Sequence, residues 1–197
     1  MAKQKLTTFS MHSTSAKIAL PFMVIVLTWI SINLFSWMFD VTNAASFVSR
    51  RADLISLVAI IFVPPVTIVL HELVHAFFCL IFGGKPKFGA GMIYKIVPYF
   101  TTSSPNLKLN LWQMTIVGLS PLIVLSLAAI GFAFIFPQMM MIWMLALGTN
   151  IVGACADVWF TFNILWTSRR YEHPVVVDRG DSLDLQESSS SNIKRNR

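Results

Sequence analysis

The sequence predicts an all-α integral membrane protein of four transmembrane helices, and three observations predict it. Four apolar runs are each long enough to cross a bilayer. Hydrophobic residues make up 55% of the 197 and charged residues only 12%, with a mean hydropathy of +0.68. The basic residues sit at the ends of the apolar runs, so the net charge of +6 anchors and orients helices rather than forming a nucleic-acid surface. By length the chain is one domain. Both cysteines, Cys79 and Cys155, lie inside apolar runs, so no extracellular disulfide framework is indicated.

Residues 1–16 are polar, carry Lys3 and Lys5 without an acid, and read as a cytoplasmic tail. The domain spans 17–167 and opens with the charge-free run 18–39. A cleavable signal peptide ending near Ala44 and Ala45 is the competing reading. The run is too long for a signal core of about 7–15 residues, which favours an anchor. Residues 40–53 form a loop with Arg50 and Arg51.

The second span, 54–82, contains Pro64 and Pro65, which remove backbone donors and should bend it. Gly83 and Gly84 end it. Residues 85–110 hold four lysines and no acid. Within them, 88–97 alternate with period two, which suggests a strand or short β-hairpin at the cytoplasmic surface, against an irregular loop. The third span, 111–136, is interrupted at Gly118-Leu119-Ser120-Pro121 and stopped by Pro137. The fourth, 139–166, carries Asn150 and Asp157 among small residues that allow close helix packing. From 168 to 197 the chain is polar and reads as a disordered cytoplasmic tail. Basic residues at 85–108 and 169–170 and in the first tail put both termini in the cytoplasm of a multi-pass cell-membrane protein.

The chemistry centres on His71-Glu72-Leu73-Val74-His75 inside the second span. Residues four apart share a helix face, so His71 and His75 can offer two imidazoles to one metal ion. Glu72, on an adjoining face, can take a proton from water instead of ligating. The plainer alternative is a buried, hydrogen-bonded His–Glu pair. Ionisable groups cost several kcal/mol in lipid, which favours a functional site.

A catalytic zinc has three protein ligands and an open fourth position. Between His75 and Asp157 there is neither an acid nor a histidine, so Asp157 is the third candidate. Depth agrees: His71 and His75 lie roughly 16 and 10 Å, and Asp157 about 14 Å, from the cytoplasmic end of their spans at 1.5 Å per residue. Pro121 falls near 15 Å on the third span. Asn150, two turns before Asp157 on nearly the same face, could orient substrate or a ligand, and a helix–helix hydrogen bond is the favoured reading. Cys79 one turn past His75 reads as a small buried residue, and His173 as a distant alternative ligand.

The stretches HELVHAFFCLIFGGKPKFG, VPYF, GLSPLIVL and NIVGACAD together resemble a family of bacterial membrane proteins described as putative zincin peptidases. That family is similar to the site-2 proteases, which cleave peptide bonds within membranes. The resemblance covers roughly 60–165 and implies His71, His75 and Asp157 as metal ligands and Glu72 as catalytic acid/base. Site-2 proteases place prolines before their aspartate and a glycine after it. Here Val158 follows Asp157 and no proline lies between Asn150 and Asp157, so the resemblance implies mechanism and not substrate. The soluble zincin pattern is excluded, because Phe78 stands where its glycine belongs.

The expected function is a membrane-embedded metalloprotease using zinc (Zn2+), acting on membrane or membrane-proximal protein or peptide substrates. Iron or cobalt would also suit two histidines and a carboxylate. The alternative is a non-catalytic membrane regulator with a structural or vestigial metal site. Ion transport would need polar residues through the outer halves of the spans, which are almost wholly apolar.

Overall fold

The computed structural model describes residues 5–10, 13–41, 52–93 and 97–187. Helices α1 (Thr14–Val41), α2 (Ala52–Ile81) and α3 (Leu111–Ile135) are continuous. The fourth apolar stretch, Pro137–Ser168, is a 3₁₀ turn followed by α4 (Met140–Gly153) and α5 (Cys155–Ser168). All four stretches are long and apolar enough to cross a membrane. Their outward faces stay uncovered: Ile18 is 73% exposed, Phe22 68% and Leu127 64%. Apolar surface on that scale faces lipid, not water, and the chain is a multi-pass membrane protein.

The ends of the helices follow local chemistry. Ser13 Oγ accepts from Ala16 N–H at the start of α1. α2 runs unbroken through Pro64 and Pro65 and stops at Gly83 (φ +79°). There Gly84 N–H reaches Cys79 O and Gly83 N–H reaches Leu80 O, the paired bonds that satisfy the last carbonyls of a helix. At α3, Asn110 and Gln113 exchange side-chain-to-backbone bonds in a capping box.

α2 packs on α3 and α4, α3 also on α5, and α1 lies against α4 and α5. One apolar core, with Met38, Ala133, Met144 and Leu147, holds the end of the bundle near Pro137. A second, with Leu109, Met114, Ile164, Val176 and Leu185, joins the opposite end to a β-sheet.

Several expectations need correction here. The fold is mostly helical but not all-α. A four-stranded antiparallel sheet runs in the order β1 (Lys5–Ser10), β6 (Ser182–Glu187), β5 (Pro174–Asp178), β4 (Lys108–Asn110). The stretch 168–197 is therefore not uniformly disordered. Its overall polarity hid a run of three valines and the Leu183/Leu185 alternation, and buried Asp184 is satisfied by Thr8 Oγ1 and Arg179 Nε. Residues 88–93 of the alternating segment lie in one arm of a hairpin, β2 (Lys87–Ile93) paired with β3 (Val97–Ser103) from Lys87↔Ser103 to Ile93↔Val97, and 94–96 lie outside the described residues. The fourth span is broken at Ala154, beside Gly153. Ala44, Ala45, Arg50, Arg51 and residues 188–197 lie outside the described residues.

The sheet joins a strand before α1, one between α2 and α3, and two after α5. Two helical stretches separate β1 from β4 and two separate β4 from β5, so four crossing spans would return every strand to one side, and the sheet is compatible with them. Replacing Leu185, fully buried in the sheet core, by Ala should cost about 2–5 kcal/mol. A lowered thermal unfolding midpoint in detergent would register it, and an unchanged midpoint would contradict the buried sheet.

Candidate metal centre

α2 presents His71 and His75 on one face, 6% and 7% exposed, with ring centroids 4.9 Å apart. Asp157, in the first turn of α5, meets both: its Oδ2 is 3.0 Å from His71 Nε2 and 3.4 Å from His75 Nε2. One ligand-type atom from each residue lies within 4.8 Å of the others. The helix break at Ala154 places Asp157 near a helix N-terminus, where backbone N–H groups favour a carboxylate.

The other ring nitrogens decide what these three residues offer. His71 Nδ1 is 2.9 Å from Asn150 Oδ1. Asn150, 1% exposed, directs its Nδ2 at the carbonyls of Pro121 and Leu122 and at Ser126 Oγ, so its Oδ1 is the acceptor toward His71. His75 Nδ1 is 2.7 Å from Val117 O, which can only accept. Both rings therefore donate through Nδ1–H, and in the neutral form both Nε2 atoms turn lone pairs toward Asp157. With both rings neutral, three lone-pair donors converge at a cost in an apolar bundle, and a metal ion between them, or a proton on Nε2 shared with Asp157, relieves it. Two nitrogens and one carboxylate oxygen suit zinc, and an outer hydrogen bond on each histidine is the usual arrangement around it.

The Val117 acceptor has a local cause. In a helix its carbonyl would accept from residue 121, but Pro121 has no N–H. The carbonyl is left for His75, with Ser120 Oγ as a second donor at 3.2 Å.

Glu72 stands beside the triad. Its Oε2 is buried without a hydrogen-bond partner among the described residues. Its backbone carbonyl accepts from Thr102 Oγ1 at 3.0 Å, which ties β3 to α2 at the motif. His71, Glu72, His75 and Asp157 all line a cavity of about 1000 Å³. The cavity reaches β3 at Tyr99–Ser103, α1 at Leu20–Ile25 and the β5–β6 turn at Gly180–Leu183.

The structure thus brings together all four residues singled out in the sequence. Cys79 is buried in the cavity wall but outside the ligand cluster, and His173 is exposed beside β5. Asn150 makes the helix–helix bonds and orients His71 as well. Sequence reasoning missed the Val117 carbonyl, whose signal was a proline four residues on. It also missed Thr102, which nothing in the sequence distinguishes from Thr101. If the geometry holds, His75→Cys/Asp157→Cys in a Cys79→Ala/Cys155→Ala background should be bridged by a short thiol-specific crosslinker. No bridging, with a control pair elsewhere reacting, would refute the convergence.

No curated protein and no solved structure matches the chain. Residues 65–170, which contain His71, Glu72, His75, Asn150 and Asp157, match the family described as "Putative zincin peptidase", and the chain belongs to that family.

Proposed function

We propose that this protein is a zinc-dependent peptidase working within the membrane on membrane or membrane-proximal substrates. The observation that supports it most is the pairing of a three-residue lone-pair cluster with an unpartnered carboxylate oxygen, Glu72 Oε2, in the same cavity. A structural metal site is closed by its ligands and has no use for such a group. That disfavours the regulator reading.

His71 and His75 would hold the ion through Nε2, and Asp157 through Oδ2. Bound zinc would polarise the scissile carbonyl and lower the pKa of water. Asn150 and the Val117 carbonyl keep both histidines in the ligating tautomer. Glu72 Oε2 takes the proton of the attacking water and passes it to the leaving amine. The apolar walls of the cavity limit water to the site, which strengthens each of these electrostatic contacts.

A peptide bond inside a helix must unwind to reach this site, and an unwound backbone in lipid lacks hydrogen-bond partners. β3 can supply them. It pairs with β2 along one edge, and among the described residues no strand pairs with the other. It carries Pro98, a residue tolerated at sheet edges. Tyr99–Ser103 lie along the cavity wall, so a substrate in extended form would add to that edge. Lys85, Lys87, Lys108, Arg169 and Arg170 lie at this end of the bundle, which supports a cytoplasmic mouth and cytoplasmic termini.

Glu72→Gln should retain zinc, measured by elemental analysis of purified protein, while peptide hydrolysis falls about 10²–10⁴-fold. Loss of zinc together with hydrolysis would make Glu72 a structural group, and unchanged hydrolysis would end its role as base. For strand addition, proline at Tyr99, Phe100 or Thr101 (leaving the Thr102 anchor in place) should abolish cleavage at the position whose N–H faces away from β2. Metal content would stay as in the wild type. Cleavage intact at all three positions would reject pairing through this edge.

A further inference from the structure

Gly118 on α3 and Thr161 on α5 meet below the cluster in a contact that neither residue's local preferences explain. Thr161 is 3% exposed, and its Oγ1 has no hydrogen-bond partner among the described residues. A buried hydroxyl without a partner is unfavourable. Glycine inside a helix is unfavourable too, because it loses the most backbone freedom on folding. A Cβ built at position 118 would lie 2.6 Å from Thr161 Oγ1, far inside contact, and 4.0 Å from Thr161 Cβ. Apart from chain neighbours and the adjoining backbone of α3 itself it would meet nothing else within 4 Å among the described residues. The missing side chain of one residue is thus filled by the oxygen of the other.

Their places in the chain give this contact a consequence. Thr161 is one turn beyond Asp157 on the same face of α5. Gly118 directly follows Val117, whose carbonyl holds His75 Nδ1–H. Two consecutive residues of α3 therefore touch the two elements whose side chains must meet: Val117 fixes His75, and Gly118 fixes how closely α5 approaches. Small residues permit such close helix approach in membranes. Any spreading of α3 from α5 moves Asp157 Oδ2 away from His75 Nε2, now 3.4 Å apart.

We propose that the Gly118–Thr161 contact is the spacer that sets the separation of His75 and Asp157, and that both are positioning residues for the metal. This rests on the metal-binding reading above. It assigns neither residue a contact with substrate.

The test is zinc affinity of the purified full chain in detergent, read by competition with a chromophoric chelator. Gly118→Ala should weaken binding by about 10- to 100-fold, the usual effect of disturbing what orients a ligand. Adding Thr161→Ala removes Oγ1 and leaves the two Cβ atoms at 4.0 Å, an ordinary contact, so the double variant should recover most of the affinity. Gly131→Ala, on the same helix where a Cβ meets nothing within 4 Å, should bind as the wild type. Gly118→Ala binding as tightly as the wild type would overturn the proposal. So would a double variant no better than Gly118→Ala alone. Should Gly118→Ala fail to fold, the double variant still decides, since the proposal requires it to fold and bind. A wild-type chain that binds no zinc would instead overturn the metal reading, and this inference with it.

Discussion

The bundle is arranged around two imidazoles and a carboxylate whose lone pairs, with both rings neutral, repel one another. His71 Nε2, His75 Nε2 and Asp157 Oδ2 face a common point, and the acceptors behind each imidazole prevent the rings from turning a proton inward in the neutral form. In water such a cluster would relax by rotating or by hydration. Within an apolar bundle the surrounding packing restrains both routes, and a cation between the atoms, a metal ion or a proton on Nε2, stabilises the arrangement. The rest of the structure supplies that packing.

α3 is the element on which the others are set. It has no ionisable residue, yet several of its residues act on the site. Pro121 leaves a carbonyl without its helical donor, Val117 turns that carbonyl to His75, and Pro121 and Leu122 fix the amide of Asn150. Gly118 then admits α5 to close range. Missing backbone bonds are costly in lipid unless something else satisfies them. Here the proline's cost is met by a histidine that needs an acceptor, so one irregularity serves two purposes.

The site was largely legible in the sequence because its residues are chemically out of place. An acid or histidine in an apolar span has few readings, and between His75 and Asp157 there was no competitor. Matched depth along rigid helices carried the inference from one span to another. The architecture beside the site was less legible. Val175–Val177 and Leu183/Leu185 sit among so many polar residues that composition read as disorder. The pairing of Ser182–Glu187 with Lys5–Ser10 spans nearly the whole chain, and no local pattern announces a partner at that separation. The hairpin's alternation was visible, but its register depends on tertiary contact: the edge that borders the cavity belongs to β3, tied to Glu72 O through a threonine that looks like its neighbour.

The sheet and the site constrain each other. β4 leads directly into α3 at Asn110, and β5 follows α5 after a turn, so the two strands pair at the end of the same two helices that Gly118 and Thr161 bring together. Val176 and Leu185 pack against Met114 of α3 and Ile164 of α5 in one core. α3 and α5 are thus clamped at the sheet end and spaced by a glycine further in, which leaves little freedom for Asp157 to leave His75. The same β5–β6 turn lines the cavity. The clamp that holds α3 and α5 together and one wall of the cavity are therefore built from one piece of chain.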